Sequence, residues 1–463
     1  MKIFASTALM LMFALQMSGQ SSDTSSKEDF KPIYKYRIFL KDKLGCGFTV
    51  DHPEEFLSKK SIERRKRQHL SIDESDLPVS KKYLNDIRKT GVQIVHTSKW
   101  NNTVLVQTTD TTQIDKVNAL SFVMSTRKVA TYQVPRNAGN KSRSSLIDST
   151  YTASVTPEAR TWGEGWSQIH LFNGDFLHEN GFRGEGITIG IIDGGFLNTD
   201  MIPMLSNVTI LGTKDFATEN GDVYAYDRHG TMVLSCIASN HPQIFVGTAP
   251  EASFYLLRSE DGDSEQLVEE DNWCAAIEYA DSVGVDIVNS SLGYTLFDNP
   301  ADNVSYREQD GHTHLNSRSA SMASSKGMIV CNSAGNSGNN QWKRIGVPAD
   351  ADHILAVGAL TSSGKNTNFS SVGNSADGRV KPDICAMGEH CTVISSNGRL
   401  TYANGTSFAS PILCGMVACY WQAHREMSAE DVLKAIRALG DRHDFPDNVY
   451  GHGIPDFRKS LPQ

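Results

Sequence analysis

The sequence predicts an α/β protein in which a parallel sheet carries helices on both faces, preceded by a small α+β domain. Three observations carry this reading. From Trp162 onward, short runs that are apolar at nearly every residue alternate with helical stretches, the signature of strands buried on both faces. Over residues 30–135 helices alternate with short strands within roughly 100 residues, enough for one small α+β unit. Residues 136–160 are rich in Ser, Thr and Asn with little apolar content, which marks an exposed linker open to proteolysis.

In the N-terminal unit "YKYRIFL" reads as a strand and "PEEFLSKKSIERRKRQH" as a charged helix. "SKKYLNDIRKTG" is a helix ending at Gly91, and "VQIVHTSKW" and "NTVLVQTT" are strands joined by Asn101 and Asn102. "TQIDKVNAL" then gives a helix and "FVMSTRKVATY" a last strand. In the C-terminal unit, residues 161–463, the buried strands are "GITIGIID", "SFYLLR", "VDIVNSSLG", "GMIVCNSAG" and "HILAVGAL". Helical stretches such as "SEQLVEEDNWCAAIEYADSVG" and "NSRSASMASSKG" separate several of them. In such sheets function collects at the C-terminal ends of the strands.

Lys2 precedes a mostly apolar run from Ile3 to Met17, closed by Ser18 and Gly19, so residues 1–20 read as a signal peptide cut within Ser18 to Gln20. The run is shorter than the ~20 apolar residues that span a bilayer. The expectation is a protein secreted to the medium or the periplasm, with no membrane association after signal removal. The net charge of −9 divides unevenly: +7 for Ser21 to Arg136 and −17 from Asn137 on. Two units of opposite charge attract each other, and export makes nucleic acid an improbable partner for "ERRKRQ". Of eight cysteines, Cys236, Cys331, Cys414 and Cys419 sit in apolar runs as small buried hydrophobes, and Cys385 with Cys391 is the one pair worth testing as a disulfide.

Four residues suggest chemistry. Asp193 ends its strand in "IGIIDGGF", where a lone aspartate serves equally well as a turn cap. His229 opens an amphipathic helix, "HGTMVLSCIAS", and Gly230 leaves room beside its imidazole for a substrate. Ser407, in "NGTSFASPILCGMVACYW", starts a helix with Pro411 in the first turn, so the helix dipole favours negative charge at the serine oxygen. A serine hydroxyl is a weak nucleophile until a base such as His229, itself oriented by a carboxylate such as Asp193, takes its proton. Asn336, in "NSAGNSG", can donate with the Ser407 backbone N–H to an oxyanion, although such dipeptides also simply build turns.

The blocks "IIDGGF", "HGTMVLS", "SAGNSG" and "GTSFASP", in the order Asp, His, Asn, Ser, resemble those of the subtilisin-like serine proteases, the subtilases. The resemblance covers about Trp162 to Asp456 and implies a subtilisin-like sheet with Asp193 as orienting acid, His229 as base, Ser407 as nucleophile and Asn336 as oxyanion donor. It also implies that Ser291, Leu292 and Gly293, with Ser333, Ala334 and Gly335, bind substrate backbone and wall the specificity pocket, as in β-strand addition. The small basic domain is similar to the ferredoxin-like subtilase propeptide, which would inhibit in cis until cut away. Gly194, Met232, Ser235 and Phe408 depart from the commonest residues of the motifs without removing a catalytic atom.

The implied function is a serine endopeptidase made as a zymogen, monomeric, acting on proteins or peptides and requiring no cofactor. Subtilases often hold structural calcium, but the acidic stretch Tyr294 to Ser317 shows no ligand spacing and reads as a loop that shapes the cleft. A lipase-type triad is excluded, since it wants G-x-S-x-G and the order Ser, Asp, His. A catalytically inactive binding protein on the same fold and a transpeptidase sharing the acyl-enzyme stay open.

Overall fold

A computed structural model describes residues 31–133, 147 and 161–461. The expected signal peptide, and the linker apart from residue 147, lie outside the described residues. The N-terminal domain runs β1 (Ile33–Leu40), α1 (Lys59–Arg67), α2 (Lys81–Arg88), β2 (Gln93–Ser98), β3 (Thr103–Thr108), α3 (Thr112–Asn118) and β4 (Val123–Tyr132). Its strands form one antiparallel sheet in the order β2-β3-β1-β4, the split arrangement of a ferredoxin-like fold. The expected long helix from Pro53 is shorter: a single 3-10 turn at Pro53–Glu55 precedes α1, which starts where the Ser58 side chain accepts from the Ser61 N–H.

The second domain follows as α4 (Trp166–His170), α5 (Asp175–Glu179), β5 (Thr188–Asp193), β6 (Thr209–Asp215), α6 (His229–Ala238), the short hairpin β7 (Asn240–His241) and β8 (Phe245–Val246), β9 (Ser253–Arg258) and α7 (Val268–Val283). Then come β10 (Ile287–Ser290), α8 (Leu315–Ser325), β11 (Ile329–Ser333), β12 (Leu355–Leu360), β13 (Ile384–Met387), the hairpin β14 (Cys391–Ile394) and β15 (Leu400–Ala403), α9 (Thr406–Ala423) and α10 (Ala429–Ala438). Seven parallel strands lie in the order β13-β12-β11-β10-β5-β9-β6.

Alternate strand residues face opposite layers. Ile189, Ile191, Ile287 and Ile329 pack with α6 and α9, whereas Ile192, Val288 and Val330 pack with α7 and α8. Two strands have no counterpart among the five expected runs. β6 is a half-exposed edge, and β13 is only Ile-Cys-Ala-Met, too short to carry a period.

The two domains meet over a large seam. One face of the N-terminal sheet covers α2 and α3, and from its other face Leu105, Val129 and Ala130 pack on Leu267, Val268, Tyr294 and Phe297. Charge complements this contact: Arg37 meets Asp271 at 2.7 Å, and Asp281 on α7 takes Arg64 at 2.5 Å and Lys99 at 2.7 Å. The uneven charge of the sequence is therefore spent across this interface. In the stretch from Tyr294 to Ser317, expected to shape the cleft, Tyr294 does line it, whereas Phe297 and Val304 pack at the seam and Asp302 pairs Arg127 there at 2.8 Å.

All eight cysteines are buried free thiols, so the Cys385–Cys391 disulfide is not formed. The Cys385 thiol points to the Val449 carbonyl and the Cys391 thiol to that of Met387, each within its own packing layer.

Candidate active site

The sheet delivers its key residues from the C-terminal ends of adjacent strands. β5 ends at Asp193, β10 leads into Ser291 to Gly293, and β11 ends at Ser333. α6 and α9 bring His229 and Ser407 to the same end, and a cleft of about 380 Å³ is lined by Asp193, His229, Asn336 and Ser407 together.

Asp193 is fully buried and accepts from the Gly194 N–H at 2.8 Å and from His229 Nδ1 at 2.9 Å. That contact fixes the ring so that Nε2 is the nitrogen available as a base. Burial pushes the imidazole down, yet the Asp193 charge and hydrogen bond, with Asp227 beyond, hold it above its ordinary value. The His229 N–H rests on the Asp227 carboxylate at 2.8 Å, which secures the first turn of α6. This helix is buried nearly all round rather than amphipathic. Gly230 is needed for packing rather than for substrate, because a Cβ there would lie 2.4 Å from the Gly195 carbonyl oxygen.

Ser407 is the second residue of α9. Pro411 is the sixth, not in the first turn, and its missing N–H would have bonded the Ser407 carbonyl four residues back. The Ser291 hydroxyl takes that place, donating to Ser407 O at 2.8 Å. The Ser407 hydroxyl itself donates to the Ser291 carbonyl at 3.3 Å rather than to His229.

Asn336 accepts from the Thr406 N–H at 2.8 Å and the Thr406 hydroxyl at 2.9 Å, so its amide nitrogen is turned outward. A Cβ built on Gly405 (φ 153°) would stand 3.5 Å from that nitrogen and 3.6 Å from the Ser407 nitrogen. The glycine thus leaves open the space between two donors, which is what an oxyanion requires. Ser291, Leu292, Gly293, Ser333 and Gly335 line the cleft, but Ala334 does not: its methyl is buried in the core beside α7. A buried nucleophile helix, an oriented base and paired donors can together carry acyl transfer.

The family comparison agrees with this geometry: the model of the Subtilase family, Peptidase_S8, matches residues 184–453. The chain belongs to the subtilase family. Subtilases are serine peptidases, and the N-terminal domain of this one matches the Peptidase S8 propeptide domain of Bacteroidota over residues 35–145. Subtilisin DY of Bacillus licheniformis is 28% identical over 298 residues, 62% of this chain and 94% of that protein. Serine protease AprX of Bacillus subtilis (strain 168) is 28% identical over 313 residues, 60% of this chain and 67% of that protein.

Among solved structures, the epidermin leader peptide processing serine protease (EpiP) of Staphylococcus aureus aligns over 92% of this subtilase and 97% of its own chain, with TM-score 0.63 and 18% identity. The MycP3 protease of the type VII (ESX-3) secretion system aligns over 69% and 93%, with TM-score 0.52 and 22% identity. These two likenesses speak to the fold. No helix among the described residues of this subtilase is long and apolar enough to cross a membrane.

Several site residues had no individual signal in the sequence. Thr406 looked like part of a motif, and only the fold shows it holding Asn336. Glu260, Asp261, Glu265 and Glu269 also line the cleft, yet in the sequence they form an acidic run leading into a helix.

Proposed function

We propose that this subtilase is a secreted serine endopeptidase, made as a zymogen whose N-terminal domain inhibits it in cis. The observation that carries the reading is the fully buried Asp193 bonded to His229 Nδ1 at 2.9 Å in a cleft shared with Ser407 and Asn336. In this reading His229 Nε2 takes the Ser407 proton as Oγ attacks the substrate carbonyl, and Asp193 stabilises the imidazolium. Asn336 Nδ2 and the Ser407 N–H hold the oxyanion, and His229 then gives its proton to the leaving amine. Water deacylates the serine by the same route in reverse.

Ser291 to Gly293 and the Ser333–Gly335 edge receive the peptide backbone. The enzyme acts on proteins or peptides as a monomer, with neither nucleic acid nor a membrane as partner. The chemistry needs no cofactor, since base, nucleophile and oxyanion donors all come from the chain. Inhibition in cis is supported by the path of β4, whose Thr131 N–H donates to Gln266 Oε1 at 2.8 Å at the approach to the cleft.

Purified precursor is expected to lose its N-terminal domain on incubation and then to hydrolyse casein. Ser407→Ala is expected to abolish both, along with labelling by a fluorophosphonate. Self-processing that survives in the alanine variant would overturn the assignment.

A further inference from the structure

The cleft that holds the nucleophile has an acidic wall, formed by Asp227, Glu260, Asp261, Glu265 and Glu269, and neither lysine nor arginine lines it. Glu260 begins beside the catalytic pair: a Cβ on Gly194, the residue after Asp193, would lie 3.6 Å from the Asp227 Cβ and 3.7 Å from the Glu260 Cβ. Two acidic side chains therefore flank the start of the cleft. The Glu260 carboxylate is positioned by neutral donors, the Ser259 hydroxyl at 2.6 Å and the Tyr294 hydroxyl at 2.7 Å, both on Oε1. The neighbouring cation, Arg258, is engaged elsewhere, on Asp215 at 2.8 Å and over the Tyr226 ring at 3.6 Å. Burial pushes the Glu260 carboxyl up to about 8, as happens to a desolvated acid with no cation against it, and a cation entering beside it releases that proton and restores the carboxylate. Among the described residues no group of three or more His, Cys, Asp or Glu side chains converges as a metal site requires.

The direction of the peptide follows from β4. That strand ends beside Gln266, and Tyr132 packs on the cluster containing Leu267 and Tyr294. A substrate peptide laid along the line of β4 toward Ser407 passes the Glu265 and Glu260 side of the cleft before it reaches the nucleophile. Residues that contact the acidic wall thus precede the bond to be cut.

We propose that Glu260, with Asp227 and Glu265 beside it, selects a lysine or arginine side chain at a position N-terminal to the scissile bond. The proposal rests on the serine endopeptidase reading. A guanidinium or ammonium there completes a charge-assisted hydrogen bond to the carboxylate that Ser259 and Tyr294 hold in place.

The test compares kcat/KM of the processed enzyme on matched peptides that carry Lys, Arg, norleucine or Glu at one upstream position at a time. The expected result is a preference of tenfold or more for Lys or Arg over norleucine at one position. That ratio should fall several-fold in Glu260→Gln and turn toward Glu in Glu260→Lys. A ratio near one at every upstream position of the unmodified enzyme overturns the proposal, as does a basic preference that both variants leave unchanged. Fluorophosphonate labelling of the unmodified enzyme separates the two readings: labelling with a flat ratio sinks this proposal alone, and no labelling with no peptide hydrolysis sinks both.

Discussion

Ser291 and Ser407 exchange hydrogen bonds, Ser291 Oγ donating to the Ser407 carbonyl at 2.8 Å and Ser407 Oγ donating to the Ser291 carbonyl at 3.3 Å. The first bond exists because Pro411 leaves that carbonyl without its helical partner. The second holds the Ser407 hydroxyl on the strand side of the cleft, and in the proposed mechanism it rotates to reach His229. In the Ser291→Ala variant a carbonyl at the start of α9 loses its donor, a defect of about 1–3 kcal/mol. We expect kcat to fall roughly tenfold with little change in KM, on the scale where ~1.4 kcal/mol is one decade. Adding Pro411→Ala supplies a helical N–H and should recover part of the loss; a double variant no better than the single one counts against this account.

Thr406 acts through Asn336. Asn336→Ala removes an oxyanion donor and should lower kcat by about 10²- to 10³-fold. Thr406→Val keeps one of the two bonds, the backbone one, and is expected to cost less. The two losses should fall short of additive in a double-mutant cycle, and additive losses would mean that Thr406 acts by another route. Gly405→Ala places a methyl between the donors and should depress kcat more than KM.

The acid limb of the pH–rate profile reports on His229. Its folded value lies above the ordinary ~6.5, and catalysis needs the neutral ring, so kcat/KM should rise as pH climbs through that raised value. The sign for stability is the reverse: the Asp193–His229 pair stabilises fully below the unfolded value, and its contribution is lost as pH rises through the folded one. Asp193→Asn should move the limb to lower pH and reduce kcat by about 10⁴-fold, the scale of the same change in a serine triad. A limb that does not move would show that Asp193 is not what raises His229.

The domain seam is testable by substitutions in the N-terminal domain, which leave the second domain unaltered. Burial alone raises Asp281, but Lys99, Arg65 and Arg64 pull it far below the usual carboxylate range. Its contribution is therefore present above the unfolded carboxylate value and lost only as pH falls through the depressed one, so docking should survive mild acid. Arg64→Ala breaks a buried pair and takes its donor from four acceptors across the seam, the Lys326, Val285 and Asp281 carbonyls and the Asp281 carboxylate. A loss of about 3 kcal/mol, roughly 10²-fold in the inhibition constant of the N-terminal domain added in trans, is expected. An unchanged constant would move the main hold to the apolar contacts around Tyr294.

Eight buried thiols should be silent in the folded precursor. Burial pushes Cys236, Cys385 and Cys419 well up, away from the reactive thiolate. An aromatic disulfide reagent should titrate none of them under native conditions and all of them in denaturant, and reductant should leave activity unchanged. Rapid native labelling or a thiol count below eight in denaturant would contradict the structure.

The fold class and the four candidate residues were legible because each has a local cause. Continuous apolar runs need cover on both faces, and Asp193, His229, Asn336 and Ser407 sit in short blocks whose glycines and small residues mark turns at strand ends or helix starts. β6 escaped notice because an edge strand needs no apolar pattern, and the disulfide expectation failed because loop spacing says nothing of which layer each sulfur faces. The resemblance to subtilases put Ala334 among the substrate-binding residues, but alternate positions along a strand end point to opposite sides, and its methyl is buried in the core.

The sequence by itself determined the parallel sheet, the small α+β domain before it, and the order of the residues that meet at the cleft. The tertiary structure decided which carbonyl Pro411 sets free, that Thr406 turns the Asn336 amide outward, and that an acidic run from β9 into α7 walls the site. Those relations join residues far apart along the chain, 116 positions in the case of Ser291 and Ser407. Local pattern encodes which face a residue turns inward; only packing decides what stands opposite it.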